Sequence, residues 1–233
     1  ILQPLFTSLG YVICGLIALY YIVCKWGIKI DKPNGTSVLR TIKNSRDVFI
    51  NNLAPNLYNS FSIVLLGFFG GGTANGIYDG GVRFFNIGSQ LLQIFTRTFF
   101  PFLSRRPEKH NQFAFITIGV SVIMATILYI AAPWIVDIML SPEFTDSIIV
   151  LRILAVSLVF FTLSSVYGSC YLIIHKQERL LRKITVYSSL AGFIVAWPLI
   201  YYFTYIGAAL TVTFSRVILG IFTMIYANKI KKQ

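Results

Sequence analysis

The sequence predicts an all-α integral membrane protein with about seven transmembrane helices. Of its 233 residues, 56% are hydrophobic and 12% are charged, whereas soluble domains carry about 25% charged residues. Apolar runs of about 20 residues, the length that crosses a hydrocarbon core of roughly 30 Å, recur along the chain. These runs lack the alternation of outer-membrane barrel strands. An ordinary cytosolic globule is thereby excluded.

The apolar runs are separated by charged or glycine-containing segments. They cover approximately residues 5–24, 48–69, 78–103, 112–139, 147–174, 184–203 and 206–228. Pro33, Asn34 and Gly35 interrupt any helix in the longest intervening segment, 25–47, which is predicted to be a cytoplasmic linker between a helix at 1–24 and a bundle at 48–233. The chain starts without Met or a cleavable signal, so we expect a fragment.

The distribution of basic residues predicts the orientation in the membrane. If the spans alternate, sixteen of the 20 Lys and Arg residues fall in segments 25–47, 104–111, 175–183 and 229–233, on one side. The opposite segments, near 70–77, 140–146 and 204–205, contain none. The positive-inside rule therefore predicts a cytoplasmic C-terminus. Because the net charge of +12 lies in short clusters between apolar runs, it indicates a membrane surface and not nucleic acid.

A polar stripe runs along the third predicted span. Its members are spaced by 4, 3, 4, 3 and 4 residues, which places all of them on one face of a helix: Asp79, Arg83, Asn86, Gln90, Gln93 and Arg97. Arg83 and Arg97 lie about 21 Å apart along the axis, so the stripe crosses most of the hydrocarbon. Such a stripe is typical of a transport cavity. Alternatively, Asp79 and Arg83 pair near the outer surface while Arg97 snorkels to the cytoplasmic interface.

Further polar residues occur in other predicted spans. Asn52, Asn56 and Asn59 share one face of the second span, and Arg216 lies near the middle of the last, too deep for easy snorkelling. These residues are added to the candidate substrate cavity. Asp79 and Asp137 are the candidates for ion coupling, whereas Arg152 is expected to pair with Asp146 or Glu143 at the outer surface.

No enzyme signature is recognisable in the sequence. It contains no G-x-S-x-G, H-E-x-x-H or Walker motif and no paired carboxylates within a span, so no catalytic residue, metal site or cofactor is predicted. His110 and His175 are expected to be solvated loop residues, since no nucleophile or carboxylate constellation accompanies them.

The order of these features resembles a known transporter family. NLYNSFSIVLLGFFGGGTANGIYDGGVRFFNIGSQLLQIFTRTFFPFLSR, residues 56–105, resembles the seventh and eighth helices of Wzx-type polysaccharide flippases, in the MOP exporter superfamily. Residues 151–183 and 205–220 are similar to the tenth helix with its basic loop and to the twelfth helix. The resemblance implies the sixth helix and the C-terminal six-helix lobe of a twelve-helix transporter, which would be completed by a missing N-terminal lobe.

The resemblance also implies a substrate and a location. The substrate would be an undecaprenyl-diphosphate-linked oligosaccharide, such as an O-antigen repeat unit, flipped by alternating access across a bacterial inner membrane. Membrane lipid, a polysaccharide polymerase and chain-length machinery are the implied partners, and ion coupling is expected. The alternatives are a lipid II flippase or multidrug exporter of the same superfamily, or a membrane O-antigen ligase or polymerase. An organic-cation exporter is disfavoured by the excess of intramembrane arginines over acids, and an enzyme by the short outer loops.

Overall fold

The described parts of the chain are almost entirely helical. A computed structural model describes residues 2–25 and 35–231, but only the backbone at 2–7, 22–23, 37–38, 43–44, 46–48, 51–52 and 54–59. No strand occurs in these ranges. The prediction of an all-α membrane protein is confirmed, because four helical stretches there are long and apolar enough to cross a membrane: Ser60–Arg105, Pro107–Met139, Ser147–Leu172 and Glu178–Lys231.

Two of the helical stretches are interrupted, and each interruption separates two helices. Helix α1 is Leu2–Tyr20, continued by a π-helix at Tyr21–Lys25. The stretch Gly35–Arg105 is broken at Gly71 into α2 (35–70) and α3 (72–105). Helix α4 is His110–Met139, and α5 is Ser147–Leu163, continued by a π-helix at Ser164–Leu172. The stretch Glu178–Lys231 is broken at Thr204 into α6 (178–203) and α7 (205–231). Short 3₁₀ turns at Pro107–Lys109 and Pro142–Phe144 precede α4 and α5.

The chain reverses direction at both interruptions. At Gly71, φ is 71° and ψ is −169°, a conformation that glycine adopts readily because it has no Cβ. A Cβ built on Gly67 would lie only 2.9 Å from the side-chain nitrogen of Asn75, which shows that α3 folds back along α2. At Gly207, a Cβ would lie 2.0 Å from the Leu199 carbonyl oxygen, so α7 likewise folds back on α6.

The chain divides into two compact units, Ile1–Ser45 and Arg46–Gln233. In the second unit, α5 forms the centre of the core. Val150, Leu151, Leu154 and Leu158 are no more than 1% exposed, and they belong to one hydrophobic core with buried residues of α2, α3, α4, α6 and α7. A helix that is apolar on all sides is expected in such a central position.

Two differences from the sequence-based expectations concern segment boundaries. Segment 70–77 was expected to be an outer loop, but it is helical except at Gly71, because one glycine with positive φ is sufficient to reverse the chain. The second half of the expected linker, from Gly35 to residue 47, is helical and forms the first part of α2. Residues 26–34, which include Pro33 and Asn34, lie outside the described ranges.

Candidate functional site

The polar stripe of α3 lies on a face that the rest of the second unit leaves open. Asp79, Arg83, Asn86, Gln90 and Arg97 are exposed and Gln93 is partly exposed, whereas Phe85 and Leu92 on the opposite face are 1% and 2% exposed. Helical periodicity therefore places the polar residues on an exposed face and Phe85 and Leu92 on the buried face, while the apolar Ile87, Leu91 and Ile94 are exposed beside the stripe. The six stripe residues share one surface, as the sequence predicted.

Each end of the stripe is organised by a pair of residues four positions apart. The Arg83 guanidinium forms an ion pair with the Asp79 carboxylate at 2.8 Å, with side chains 70% and 55% exposed. Toward the basic end of α3, the Arg97 Nη2 donates to the Gln93 amide oxygen at 3.3 Å. Both arginines thus remain on the open face and can exchange these partners for an anionic ligand.

Small residues on the inner face fix the position of α3. A Cβ on Gly80 would lie 2.7 Å from the Ser147 hydroxyl, and a Cβ on Gly81 would lie 2.6 Å from Cγ1 of Val150. The same Ser147 hydroxyl donates to the Ile77 carbonyl oxygen at 2.7 Å. Because these contacts leave no space between α3 and α5, the angular position of the stripe is set by packing on the opposite side of the helix.

Arg216 is placed differently from the stripe arginines. Its guanidinium carbon lies 4.1 Å from the ring centroid of Phe85 and 5.6 Å from that of Phe161. Its Nη1 donates to the Ser157 hydroxyl at 2.9 Å. The half-buried side chain therefore joins α7 to α3 and α5, and it contacts α3 one residue before Asn86. Cation–π contacts of this kind contribute about 0.5–2 kcal/mol each, depending on desolvation.

The remaining predicted site residues do not join this surface in the described structure. The side chains of Asn52, Asn56 and Asn59 lie outside the described residues, so their place in the cavity stays a prediction. Asp137 is exposed, two residues before the end of α4. The expected pairing of Arg152 with Asp146 or Glu143 is wrong: Arg152 Nε donates to the Tyr129 carbonyl oxygen at 3.4 Å, and its guanidinium lies 5.3 Å from the Tyr129 ring centroid.

A histidine–tyrosine cluster lies where solvated loops were expected. His110 is 5% exposed, begins α4, and places its Nε2 3.2 Å from the Val166 carbonyl oxygen in the π-helix of α5. The ring of Tyr171 lies 4.8 Å from His110 and 4.1 Å from His175. The expectation of a solvated His110 is therefore wrong. Its partners come from residues more than fifty positions away, which no local pattern could indicate.

Comparisons with known proteins find one family and two relatives that are similar in sequence. Residues 3–107 match the family described as "Polysaccharide biosynthesis protein". The chain is 27% identical over 212 residues to a protein of Escherichia coli (strain K12) named as an O-antigen transporter, covering 88% of this chain and 51% of that protein. It is 21% identical over 230 residues to a protein of Shigella dysenteriae that is also named as an O-antigen transporter, covering 96% of this chain and 58% of that protein. No solved structure matches the chain.

The similarities extend over most of the chain, but the chain spans only a little more than half the length of these curated relatives. They confirm the resemblance to Wzx-type flippases that the sequence indicated.

Proposed function

Starting from this relationship to Wzx-type flippases, we propose that the chain is part of a transporter for lipid-linked oligosaccharides. The substrate is an undecaprenyl-diphosphate-linked repeat unit, such as that of O-antigen, moved across the bacterial inner membrane by alternating access. The names of the two relatives support O-antigen transport as the general activity. The choice of a diphosphate-linked sugar is supported by the chemistry of the α3 stripe.

The open position of the stripe is the observation that carries this proposal. A charged side chain at the centre of a membrane helix costs roughly 2.5–3.5 kcal/mol, and buried amides require partners. The exposure of Arg83, Gln90 and Arg97 on the second unit supports a face that meets water or polar protein groups and not lipid. We propose that it lines the central cavity and faces the second lobe that the family fold implies.

The stripe provides groups suited to both parts of the cargo. Guanidinium groups bind phosphate oxygens through paired hydrogen bonds. Because Arg83 and Arg97 lie about 21 Å apart along the helix axis, each would bind the diphosphate at a different stage of its passage. Asn86, Gln90 and Gln93 supply donors and acceptors for sugar hydroxyls. A diphosphate at Arg83 would compete with Asp79, which is 2.8 Å away, and would leave that carboxylate free to take up a coupling cation or proton. Asp137 is the second candidate for coupling.

The location and partners follow from the same proposal. Basic residues concentrate at the end of α3, at the beginning of α6 and at the end of α7, next to the predicted cytoplasmic segments. The C-terminus would therefore be cytoplasmic. The flipped repeat unit would then be consumed on the opposite side by a polysaccharide polymerase and its chain-length machinery. The chain itself would carry out no covalent step.

Cysteine accessibility along α3 in the full-length protein tests the proposal. In a background with the exposed Cys14 and Cys24 replaced by Ser, single cysteines at Asp79, Asn86, Gln90 and Gln93 should react readily with a membrane-impermeant, water-soluble thiol reagent. Added lipid-linked oligosaccharide should slow the reaction, since the cargo covers the same face.

The matched control is a cysteine at Leu91, which is 53% exposed, comparable to the 55% of the Asp79 side chain, and lies about 100° around the helix from Gln90. Because the geometric exposure is equal, a difference in reaction rate shows whether water reaches the position and does not reflect steric access. If position 91 reacts as fast as positions 86 and 90, the stripe does not face an aqueous cavity and the proposed pathway fails.

A further inference from the structure

A second candidate ligand site lies between α6 and α7, away from the stripe. The groove there has a volume of about 310 Å³, within the range of small-molecule sites, about 300–1,000 Å³. It is lined by two helical faces: Lys183, Ile184 and Tyr187 of α6, and Ile218, Phe222 and Tyr226 of α7. No stripe residue contributes to its lining.

The polar groups of the groove gather at one end. Lys183 and Tyr226 lie toward the end of the α6–α7 hairpin remote from Thr204, where the basic residues concentrate. From Tyr226 to Ile218 the groove extends about 12 Å along α7, whose lining beyond Tyr226 is the apolar pair Phe222 and Ile218. Among the described residues, the Lys183 ammonium and the Tyr187 and Tyr226 hydroxyls make no hydrogen bond. The Ser188 hydroxyl is occupied, since it donates to the Ile184 carbonyl oxygen at 2.8 Å.

We propose that this groove binds an anionic phospholipid of the cytoplasmic leaflet. The phosphate would lie at the Lys183 ammonium and accept hydrogen bonds from the Tyr187 and Tyr226 hydroxyls. One acyl chain would follow Phe222 and Ile218 toward the middle of the membrane. Basic pockets between transmembrane helices on the cytoplasmic side are established binding sites for acidic lipid head groups, and tyrosine is favoured at this depth.

The chemistry of the groove favours a membrane phospholipid over the lipid-linked sugar. A sugar chain requires a row of amides or hydroxyls with free hydrogen-bonding capacity, which the stripe offers and the groove does not. Lys183 is the one cation among the residues that line the groove, and its single positive charge matches the single negative charge of a phosphodiester. The groove is therefore a separate site, and this inference stands independently of the proposed transport substrate.

Native mass spectrometry of the full-length protein tests this site. After partial delipidation, the protein is titrated with phosphatidylglycerol or with phosphatidylcholine. The wild-type protein should retain phosphatidylglycerol more tightly than phosphatidylcholine. Lys183→Gln should weaken its binding about five-fold, the effect expected for one basic residue near an acidic head group. Lys109→Gln removes an equal charge from an exposed position outside the groove and should leave binding within two-fold.

A pair of tryptophan variants tests the proposed binding of the acyl chain without changing the charge of the protein. Ile218→Trp fills the groove and should also reduce retention, whereas Ile225→Trp, on the same helix but outside the lining and 50% exposed, should not. The proposal is overturned if Lys183→Gln and Lys109→Gln bind alike, if phosphatidylcholine shows the same dependence on Lys183, or if lipid-linked oligosaccharide displaces the bound phosphatidylglycerol at equimolar concentration.

Discussion

Replacing Gly81 by Ala tests whether the close packing of α3 on α5 holds the polar stripe in place. The added Cβ would lie 2.6 Å from Cγ1 of Val150 and 3.0 Å from the backbone nitrogen of Leu151. Val150 cannot easily rotate away, because a β-branched side chain has one strongly preferred rotamer in a helix. Both α5 residues are fully buried. Restoring an ordinary contact of 3.4 Å requires a separation of about 0.8 Å, and overpacking of this kind costs about 1–3 kcal/mol.

The matched control for this substitution is Gly119→Ala in α4. No atom lies within 4 Å of a Cβ built at Gly119, so this variant should gain up to about 1 kcal/mol from helix propensity. The free energy of unfolding is measured for the full-length protein in detergent micelles by denaturant titration. Gly81→Ala should unfold at lower denaturant than wild type, and Gly119→Ala at equal or higher denaturant. If the two variants unfold together, packing by small residues does not position α3.

The other predictions concern the two chain reversals. Thr204→Gly should raise the free energy of unfolding by about 1 kcal/mol, because φ of 47° is strained for a β-branched residue; a lower thermal midpoint would contradict this. Gly71→Ala should lower the free energy of unfolding by about 1–3 kcal/mol, because glycine alone readily adopts φ 71° with ψ −169°. Gly72→Ala, one residue later and in open space, is the control and should have a smaller effect.

The positions of the two chain reversals could be predicted from the sequence, but the extent of the helices around them and their backbone angles could not. The glycine run 70–72 and the uncharged segment near 204 both indicated turns between apolar runs, and the structure places a break in each. The extent of the helices around Gly71 could not be read locally, because residues 72–77 are held in α3 by contacts with distant residues such as Phe144 and Ser147. Thr204 gave no signal of positive φ, since β-branched residues disfavour it.

The stripe could be predicted because it depends only on helical periodicity within α3. Arg216 was recognised as too deep to snorkel, but its partners could not be predicted. Ser157 lies 59 residues away in sequence, and its pairing with Arg216 arises only once α5 and α7 pack together. The burial of His110 depends in the same way on the Val166 carbonyl, 56 residues away. Local patterns thus revealed the surface of the site, whereas long-range packing determined its supports.

The reversals at Gly71 and Thr204 each take a single residue, so the end of the second unit where they lie exposes little loop to external molecules. Segment 140–146 is the one longer connection there in the part of the chain that the structure describes. It is tethered at Asp146, whose carboxylate accepts a hydrogen bond from the Tyr205 hydroxyl at 3.0 Å beside the Thr204 reversal. Proteolytic cleavage and inserted epitopes concentrate at exposed loop tips. Antibodies and proteases on that side would therefore bind or cleave at Ser141, Pro142 and Glu143, all of which are exposed, and the same residues are the site there at which a tag would be tolerated.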